Sequence, residues 1–598
     1  MHHVRRGVPH AALLFLVTPL AAGEIAQDFA QKLAAVPPGT RLPALIVLQE
    51  QLDTQRLDRA LEAGNATRWM RHLKVVQAAQ EIANRTQPPV LQLIANQAQG
   101  QVSDVQPFWI LNGIGVRATA AALQAIATHP AVRVIDDGDA PIELIAPVAP
   151  AVPAPAPLAL VPEPGLIDLH ADFLWNLGFL GQGRIVSSLD TGVEGTHPAY
   201  RTRWRGFGGA VPASQAWFSP SLRAAAPADT NGHGTHTMGT MCGDDGTNRV
   251  GMAPAAQWIA SDAIAGSNLG QIRIDAIASF QWSADPDANP FTVDDVPDVS
   301  SNSWGYSPFF HGVAACDQAF WAAIDVCDTA GCAVVFAAGN EGSRGAGSLR
   351  TPSDRATSET NVFSVGALLA GSTSIAGFSS LGPSGCPGAP IKPEVCARGD
   401  SVRSSVRGAT YGVMSGTSMA TPHVAGAIAL LRQVDPNLSS SKVKQYLFDT
   451  AFNLGTPGND NTYGAGRVDL QAAYQRILAD RDRVTVGVVS TTQTARQNTT
   501  LLFQLNVINH TSVPVPVELS VDLFVVELNV FAPILLPFPV VLPGNINLDP
   551  NWVTSGLVIP GGLPAPFFSY NYKVVFTARD PLTQQVMSIA TTDIKLAQ

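Results

Sequence analysis

The chain has 598 residues, a formal net charge of −10 and only 14% charged side chains; it exceeds one ordinary core, and its length alone points to three or four domains. The acidic balance and the lack of any basic block exclude nucleic acid as the main partner.

In chain order, MHHVRRGVPHAALLFLVTPLAAG places Arg5 and Arg6 before an apolar stretch through Leu20, with small residues at Ala21, Ala22 and Gly23. This reads as a cleaved secretory signal over 1–23, too short to span a membrane, so the mature chain is expected outside the cell or in the periplasm. Residues 24–140 read as a small α+β region, with strands at Ala44–Gln49, Phe108–Val116 and Val132–Ile135 and a helix at Ala120–Ala127. From 141 to 165 the composition shifts to alanine and proline, which makes a semi-rigid extended linker. Residues 166–480 alternate apolar runs with helical patterns. Ile185–Leu189, Trp258–Ala263, Cys332–Ala337 and Val362–Val365 read as strands of a parallel sheet covered by helices, an α/β architecture that gathers active groups at strand ends.

Beyond 480 the pattern turns β-rich. Val484–Ser490, Leu501–Ile508, Val515–Val526 and Tyr572–Ala578 are strand candidates separated by proline and asparagine, and 481–598 is expected to form a β-sandwich. The apolar run Leu523–Gly544 contains Glu527, Asn529, Pro533, Pro537, Pro539 and Pro543, which fit loops and edge strands rather than a membrane span.

The segment with the most chemistry is GTSMATPHVAG, Gly416 to Gly426. Gly416 permits a tight turn, and Val424, Ile428 and Leu431 recur at helical spacing, so Ser418 stands at the start of an amphipathic helix, where free N–H groups and the helix dipole favour negative charge. A nucleophilic serine needs a base and a carboxylate to orient that base. RIVSSL ends in Asp190, followed by Thr191 and Gly192, and NGHGTHTMGT places His233 between two glycines at another helix start. The rival readings are weaker. Asp-Thr-Gly also marks aspartic proteases, but Val193 follows and no second such motif occurs; His233 and His236 lack the glutamate of His-Glu-x-x-His. His423 reads as a helix-packing histidine, and Ser418 taken alone could be a plain helix cap.

With these residues placed, the chain resembles the subtilisin-like serine peptidases, the subtilases. SLDTGVEGTHP resembles the family's aspartate block, NGHGTHTMGT its histidine block and SGTSMATPHVAG its serine block, in the family's order; SNSWG (Ser301 to Gly305) resembles its cleft strand and AAGNEG (Ala337 to Gly342) its oxyanion block. The similarity runs from about Gly165 to Asp480, and the wording of SNSWG and FAAGNEG is nearest the bacillopeptidase F branch. It implies a parallel sheet with helices on both faces and an Asp190–His233–Ser418 triad acting through an acyl-enzyme. The oxyanion would be held by Asn340 and the Ser418 N–H, and substrate by Ser303, Trp304, Gly305, Ala338 and Gly339. The expected partners are protein or peptide substrates and the chain's own propeptide, since 24–140 resembles the small inhibitory propeptide of the family; the mature enzyme is expected to be a monomer. Self-processing is expected between about Asp137 and Gly165.

No cofactor is required by this chemistry and no metal ligand set carries over, although the family leaves room for structural calcium. Asp285, Asp287, Asp294, Asp295 and Asp298 could hold calcium through hard oxygen ligands, but they lack EF-hand spacing and its glycine turn, and the favoured reading is a solvated loop. Two features depart from the family. Arg398-Gly399 stands where Pro-Gly is usual, and with Asp400 spells an adhesion tripeptide; Trp304 replaces a smaller cleft residue, which suggests a reshaped pocket with a leaning to apolar or aromatic side chains. A catalytically silent binding or adhesion protein on the same scaffold is the alternative reading. Six cysteines allow fifteen connectivities. Cys386 with Cys396 is the favoured pair, and Cys316 with Cys327 would lie about 16 Å apart on one helix.

Overall fold

The computed structural model describes residues 23–597 apart from 65, 98–99, 146–151, 154–160, 267–269, 312–315 and 389–390 and, in the C-terminal region, 481–483, 491–493, 497–499, 510–514, 526–529, 543–546, 559–570, 580 and 582–585. The signal segment and most of the Ala/Pro-rich linker lie outside the described residues. Two compact units emerge, one of Met1–Glu50, Asn84–Pro107 and Asn112–Gly138, the other of Gln51–Ala83, Phe108–Leu111 and Asp139–Gln598.

In the smaller unit the strands run Glu24–Ile25, Val132–Asp137, Leu42–Leu48, Gly113–Ala118 and Val102–Phe108 across a five-stranded sheet. Phe29 and Leu33 of one helix and Leu123 and Ile126 of another join Ile46, Ile114 and Ile135 in its core. The single strand expected over Phe108–Val116 is broken after Phe108, and the chain turns through Asn112 at φ 42°, a left-handed conformation that asparagine tolerates better than most residues.

The larger unit is built on a seven-stranded, all-parallel sheet ordered Val395–Arg398, Phe363–Leu368, Ala333–Ala337, Val299–Asn302, Ile185–Leu189, Gln257–Ser261 and Trp217–Phe218. Ile185–Leu189 comes first in sequence yet lies inside the sheet, so strand order reverses beside it and a crevice opens at its carboxyl end. The next residue is Asp190.

Helix Thr417–Val434 packs on strands Val299–Asn302, Ala333–Ala337, Phe363–Leu368 and Val395–Arg398, on helix His233–Cys242 and on the helices Ser440–Asp449 and Leu470–Asp480. It is therefore buried nearly all round rather than amphipathic: Ala420, Ala425, Ala427 and Ala429 are as hidden as Val424, Ile428 and Leu431. Small residues allow that closeness, since a Cβ on Gly426 would meet the Met252 Cβ at 2.5 Å.

One disulfide joins Cys316 to Cys386 across 70 residues, whereas Cys396, the expected partner of Cys386, sits buried on a sheet strand. The Cys316 pairing could not be read from spacing, because two loops distant in sequence carry it. Cys242, Cys327 and Cys332 are also buried thiols. A loop of this length makes the bond worth about 4 kcal/mol by the chain-entropy relation, so Cys386→Ser is expected to lower the urea midpoint well below that of the oxidised parent, while parent kept in reductant should match the variant.

After residue 480 two sheets form. Val484–Ser490, Thr500–Asn509 and Asn547–Val558 make the first; Val515–Val525, Val530–Leu542, Tyr572–Arg579 and Val586–Ala597, with Thr494–Arg496, make the second. Val488, Leu505 and Val507 share one core with Val517, Leu519, Val574 and Phe576. The proline-containing strand Val530–Leu542 takes the edge, where a missing N–H costs least. No helix among the described residues is long and apolar enough to cross a membrane.

The stretch Gln51–Ala83 lies against other parts of its own unit. The Arg68 guanidinium meets Asp298 at 3.1 Å and the Val296 carbonyl at 2.6 Å. The Trp69 indole donates to the Phe291 carbonyl at 3.1 Å and packs edge-on against Phe524, and the Asp58 carboxylate accepts from the Ser441 hydroxyl at 3.0 Å.

Candidate active site

Asp190 is placed by strand Ile185–Leu189, and its Oδ1 accepts both the Thr191 N–H at 2.7 Å and His233 Nδ1 at 2.8 Å. His233 opens helix His233–Cys242, whose first turn must lie almost on the Asp190 turn. Gly234 makes this approach: a Cβ there would stand 2.1 Å from the Gly192 carbonyl oxygen. Thr191 Oγ1 then accepts the Gly234 N–H at 2.9 Å, and Asp229 binds Thr235 through its N–H at 2.9 Å and its hydroxyl at 2.7 Å. The two side chains meet as a buried pair on separately anchored elements. Burial alone would pull the His233 pKa down, but the charge and hydrogen bond of Asp190, helped by Asp229, outweigh it and raise the pKa above its usual 6.5.

His233 Nε2 is buried and has no hydrogen-bond partner among the described residues. The Ser418 hydroxyl donates instead to the Ile145 carbonyl at 2.7 Å and lies 3.4 Å from the Ser303 carbonyl. Pro422, four residues on, has no N–H to offer the Ser418 carbonyl, and the Ser303 hydroxyl supplies that donor at 3.2 Å, tying the cleft strand to the serine helix.

The segment Glu143–Leu144 pairs antiparallel with Trp304–Gly305, Leu144 opposite Trp304 and Glu143 opposite Gly305, and the Ile145 N–H donates to the Ser303 carbonyl at 3.1 Å. An extended chain thus lies along SNSWG and reaches the serine at Ile145. It is the Trp304 backbone that meets this chain. The indole, expected to reshape the cleft, points the other way and is buried among Phe280, Phe320 and Phe336, as alternation along an extended segment dictates between the neighbours Ser303 and Gly305.

Asn340 follows strand Ala333–Ala337 and is held by the serine helix. Its Oδ1 accepts the Thr417 N–H at 2.9 Å and the Thr417 hydroxyl at 3.0 Å, which leaves Nδ2 as the amide's donor end. The Gly339 N–H donates to the Thr417 hydroxyl at 3.2 Å, and the Ala338 carbonyl accepts the Arg350 N–H at 3.0 Å. Ala338 and Gly339 thereby brace the floor on which Asn340 stands.

Arg350 was missed by motif reading. It is buried, bound to Glu341 at 2.7 Å, and its Nη1 reaches the Gly305 carbonyl at 3.3 Å and the Leu144 carbonyl at 3.4 Å, so it joins the oxyanion block, the cleft strand and the chain lying on it. The one hint in the sequence was Glu341, an acid inside a small-residue block that demanded a buried cation. His236 and His423 are structural. Burial lowers the His236 pKa to about 3 and that of His423 to about 4, with His236 Nε2 3.1 Å from the Val402 carbonyl and His423 Nδ1 2.8 Å from the Met419 carbonyl. The Arg398-Gly399-Asp400 turn is folded in: Gly399 is buried, and Asp400 Oδ1 accepts from the Ser415 hydroxyl at 2.9 Å.

These elements can hold an extended peptide by its backbone, set a serine hydroxyl at one carbonyl, and keep the His233 imidazole in one tautomer. Comparison with known proteins agrees with the geometry. A family model described as the subtilase family matches residues 181–466. Bacillopeptidase F of Bacillus subtilis (strain 168) is 32% identical over 438 residues, 70% of this chain but 29% of that protein, so the chain matches well under half the length of this relative. Subtilisin Savinase of Lederbergia lenta is 33% identical over 312 residues, 52% of this chain and 97% of the relative; subtilisin E of Bacillus subtilis (strain 168) is 31% identical over 317 residues, 52% of this chain and 71% of the relative.

Proposed function

The chain belongs to the subtilase family of serine peptidases, and on that footing we propose that it is a secreted serine endopeptidase made as a precursor that cuts itself after Ile145. The observation that carries this reading is the strand Glu143–Leu144 on the cleft strand, with the carbonyl of the next residue, Ile145, 2.7 Å from the Ser418 hydroxyl. A substrate would lie the same way, its backbone paired to Ser303–Gly305.

In the reaction the Ser418 oxygen attacks the peptide carbonyl carbon as its proton passes to His233 Nε2. The oxyanion is met by Asn340 Nδ2 and the Ser418 N–H, and the tetrahedral intermediate collapses as His233 returns the proton to the leaving amine. Water then attacks the acyl-enzyme with His233 again as base, releasing the acid and restoring the serine. Asp190 keeps the His233 proton on Nδ1, so Nε2 is free to accept. No step needs a cofactor. The folded-in Arg398-Gly399-Asp400 turn offers nothing to the adhesion alternative.

Expression of the full chain with mass-spectrometric mapping of the product tests the self-cut. The expected mature N-terminus is Ala146, in protein whose Ser418 reacts stoichiometrically with a fluorophosphonate; a terminus elsewhere refutes the register, and an unlabelled serine in processed protein refutes the enzyme.

A further inference from the structure

Asp285, Asp287 and Asp295 lie in the loop between helix Ile272–Ala284 and strand Val299–Asn302, and one carboxylate oxygen from each stands within 4.8 Å of the others. The stretch is not the solvated loop expected from its composition, since Asp285 is 6% exposed and Asp295 3%. One oxygen of each is engaged: Asp285 Oδ1 accepts the Asn289 N–H at 3.0 Å, and Asp295 Oδ2 accepts the Asp287 N–H at 2.9 Å. The other oxygens, Asp285 Oδ2 and Asp295 Oδ1, are buried and meet no hydrogen-bond donor among the described residues.

Buried carboxylate oxygens without donors are costly, and charges this close repel. The basic groups nearby do not offset them. His72 Nε2 is 4.0 Å from Asp285 Oδ1, but burial and Arg68 lower its pKa to about 3, so it is neutral; the Arg205 guanidinium turns to Asp294, 3.6 Å from its carboxylate and 2.6 Å from its carbonyl. Burial and mutual repulsion raise the pKa of Asp285 to about 7 and that of Asp295 to about 6.

We propose that Asp285, Asp287 and Asp295 bind a calcium ion. Hard carboxylate oxygens suit calcium, and two ligands at about 2.3–2.6 Å from one ion can stand as much as about 5 Å apart, which covers the spread of these three oxygens. The ion would supply the countercharge the fold lacks there and pin the loop that enters strand Val299–Asn302, upstream of SNSWG.

The test uses the full chain carrying Ser418→Ala, to prevent self-digestion, dialysed against EGTA and titrated with calcium chloride alone by calorimetry and thermal unfolding, with magnesium chloride as comparison. Calcium should raise the Tm of this parent. Asp287→Asn, at a half-buried position, and Asp295→Asn should each bind one ion fewer or bind it about tenfold or more weakly. Ions bound elsewhere in the chain are unaffected by either substitution, and if Asp295→Asn does not fold, Asp287→Asn carries the comparison. Unchanged stoichiometry and affinity in Asp287→Asn, or no calcium binding by the parent at about 1 mM, overturns the proposal.

Discussion

Replacing Ser418 by alanine is expected to lower peptide turnover about a million-fold, the loss known for removal of the nucleophile in a related family member, and to leave the precursor uncut at Ile145. No other described residue can take over: His233 Nε2 has no hydrogen-bond partner among the described residues, and the carbonyl that Ser418 contacts at 2.7 Å would face a methyl group. Substrate binding should survive, because the backbone ladder on Trp304–Gly305 and the Arg350 contact do not involve the hydroxyl. The measurements are turnover on a chromogenic peptide, precursor size by mass spectrometry, and addition of a trace of active protein. Processing of the alanine precursor without added enzyme would sink the self-cutting mechanism.

Asp190→Asn is the second large effect, about ten-thousand-fold in turnover near neutral pH. The Asp190 carboxylate only accepts, so the proton on the ring must sit on Nδ1, at 2.8 Å. An asparagine amide can donate to Nδ1 instead, which moves the proton to Nε2 and removes the base facing Ser418. The pH profile supplies an independent reading. Turnover requires neutral His233 and so rises with pH through a pKa that stands above 6.5; without the Asp190 charge, burial dominates and that limb should move to lower pH even as its ceiling falls. An unmoved limb would mean that Asp190 does not set the state of the imidazole.

The junctions that carry Asp190, His233 and Ser418 were legible because each is flanked by a glycine that a crowded turn demands. A side chain at Gly192 or Gly234 would collide with the Ala228 or Gly192 carbonyl, and one at Gly416 would crowd the Asn340 amide. The C-terminal strands were legible from their β-branched runs, and the edge position of Val530–Leu542 from its prolines. What failed was long-range. A strand pattern says which residues alternate but not which face is the cleft, so Trp304 was set on the wrong side. The Ala-rich serine helix hid its full burial, since alanine carries little periodic signal. Arg350 belongs to no block and acquires its place only when Glu341, Gly305 and Leu144 converge. An acidic run reads as solvated until a fold closes over it, as happens at Asp285 and Asp295.

The anchoring of Gln51–Ala83 bears on the order of events after the proposed self-cut. Arg68, Trp69 and Asp58 all precede Ile145 in the chain, yet they grip Asp298, Phe291, Phe524 and Ser441, which follow it. Breaking the bond after Ile145 would therefore sever the covalent link and leave the amino-terminal fragment docked, its new carboxyl end still beside the serine as a tight product inhibitor. Activity would trail scission by a lag set by fragment dissociation or by its digestion in trans, and the lag would shorten with dilution in the first case and with enzyme concentration in the second.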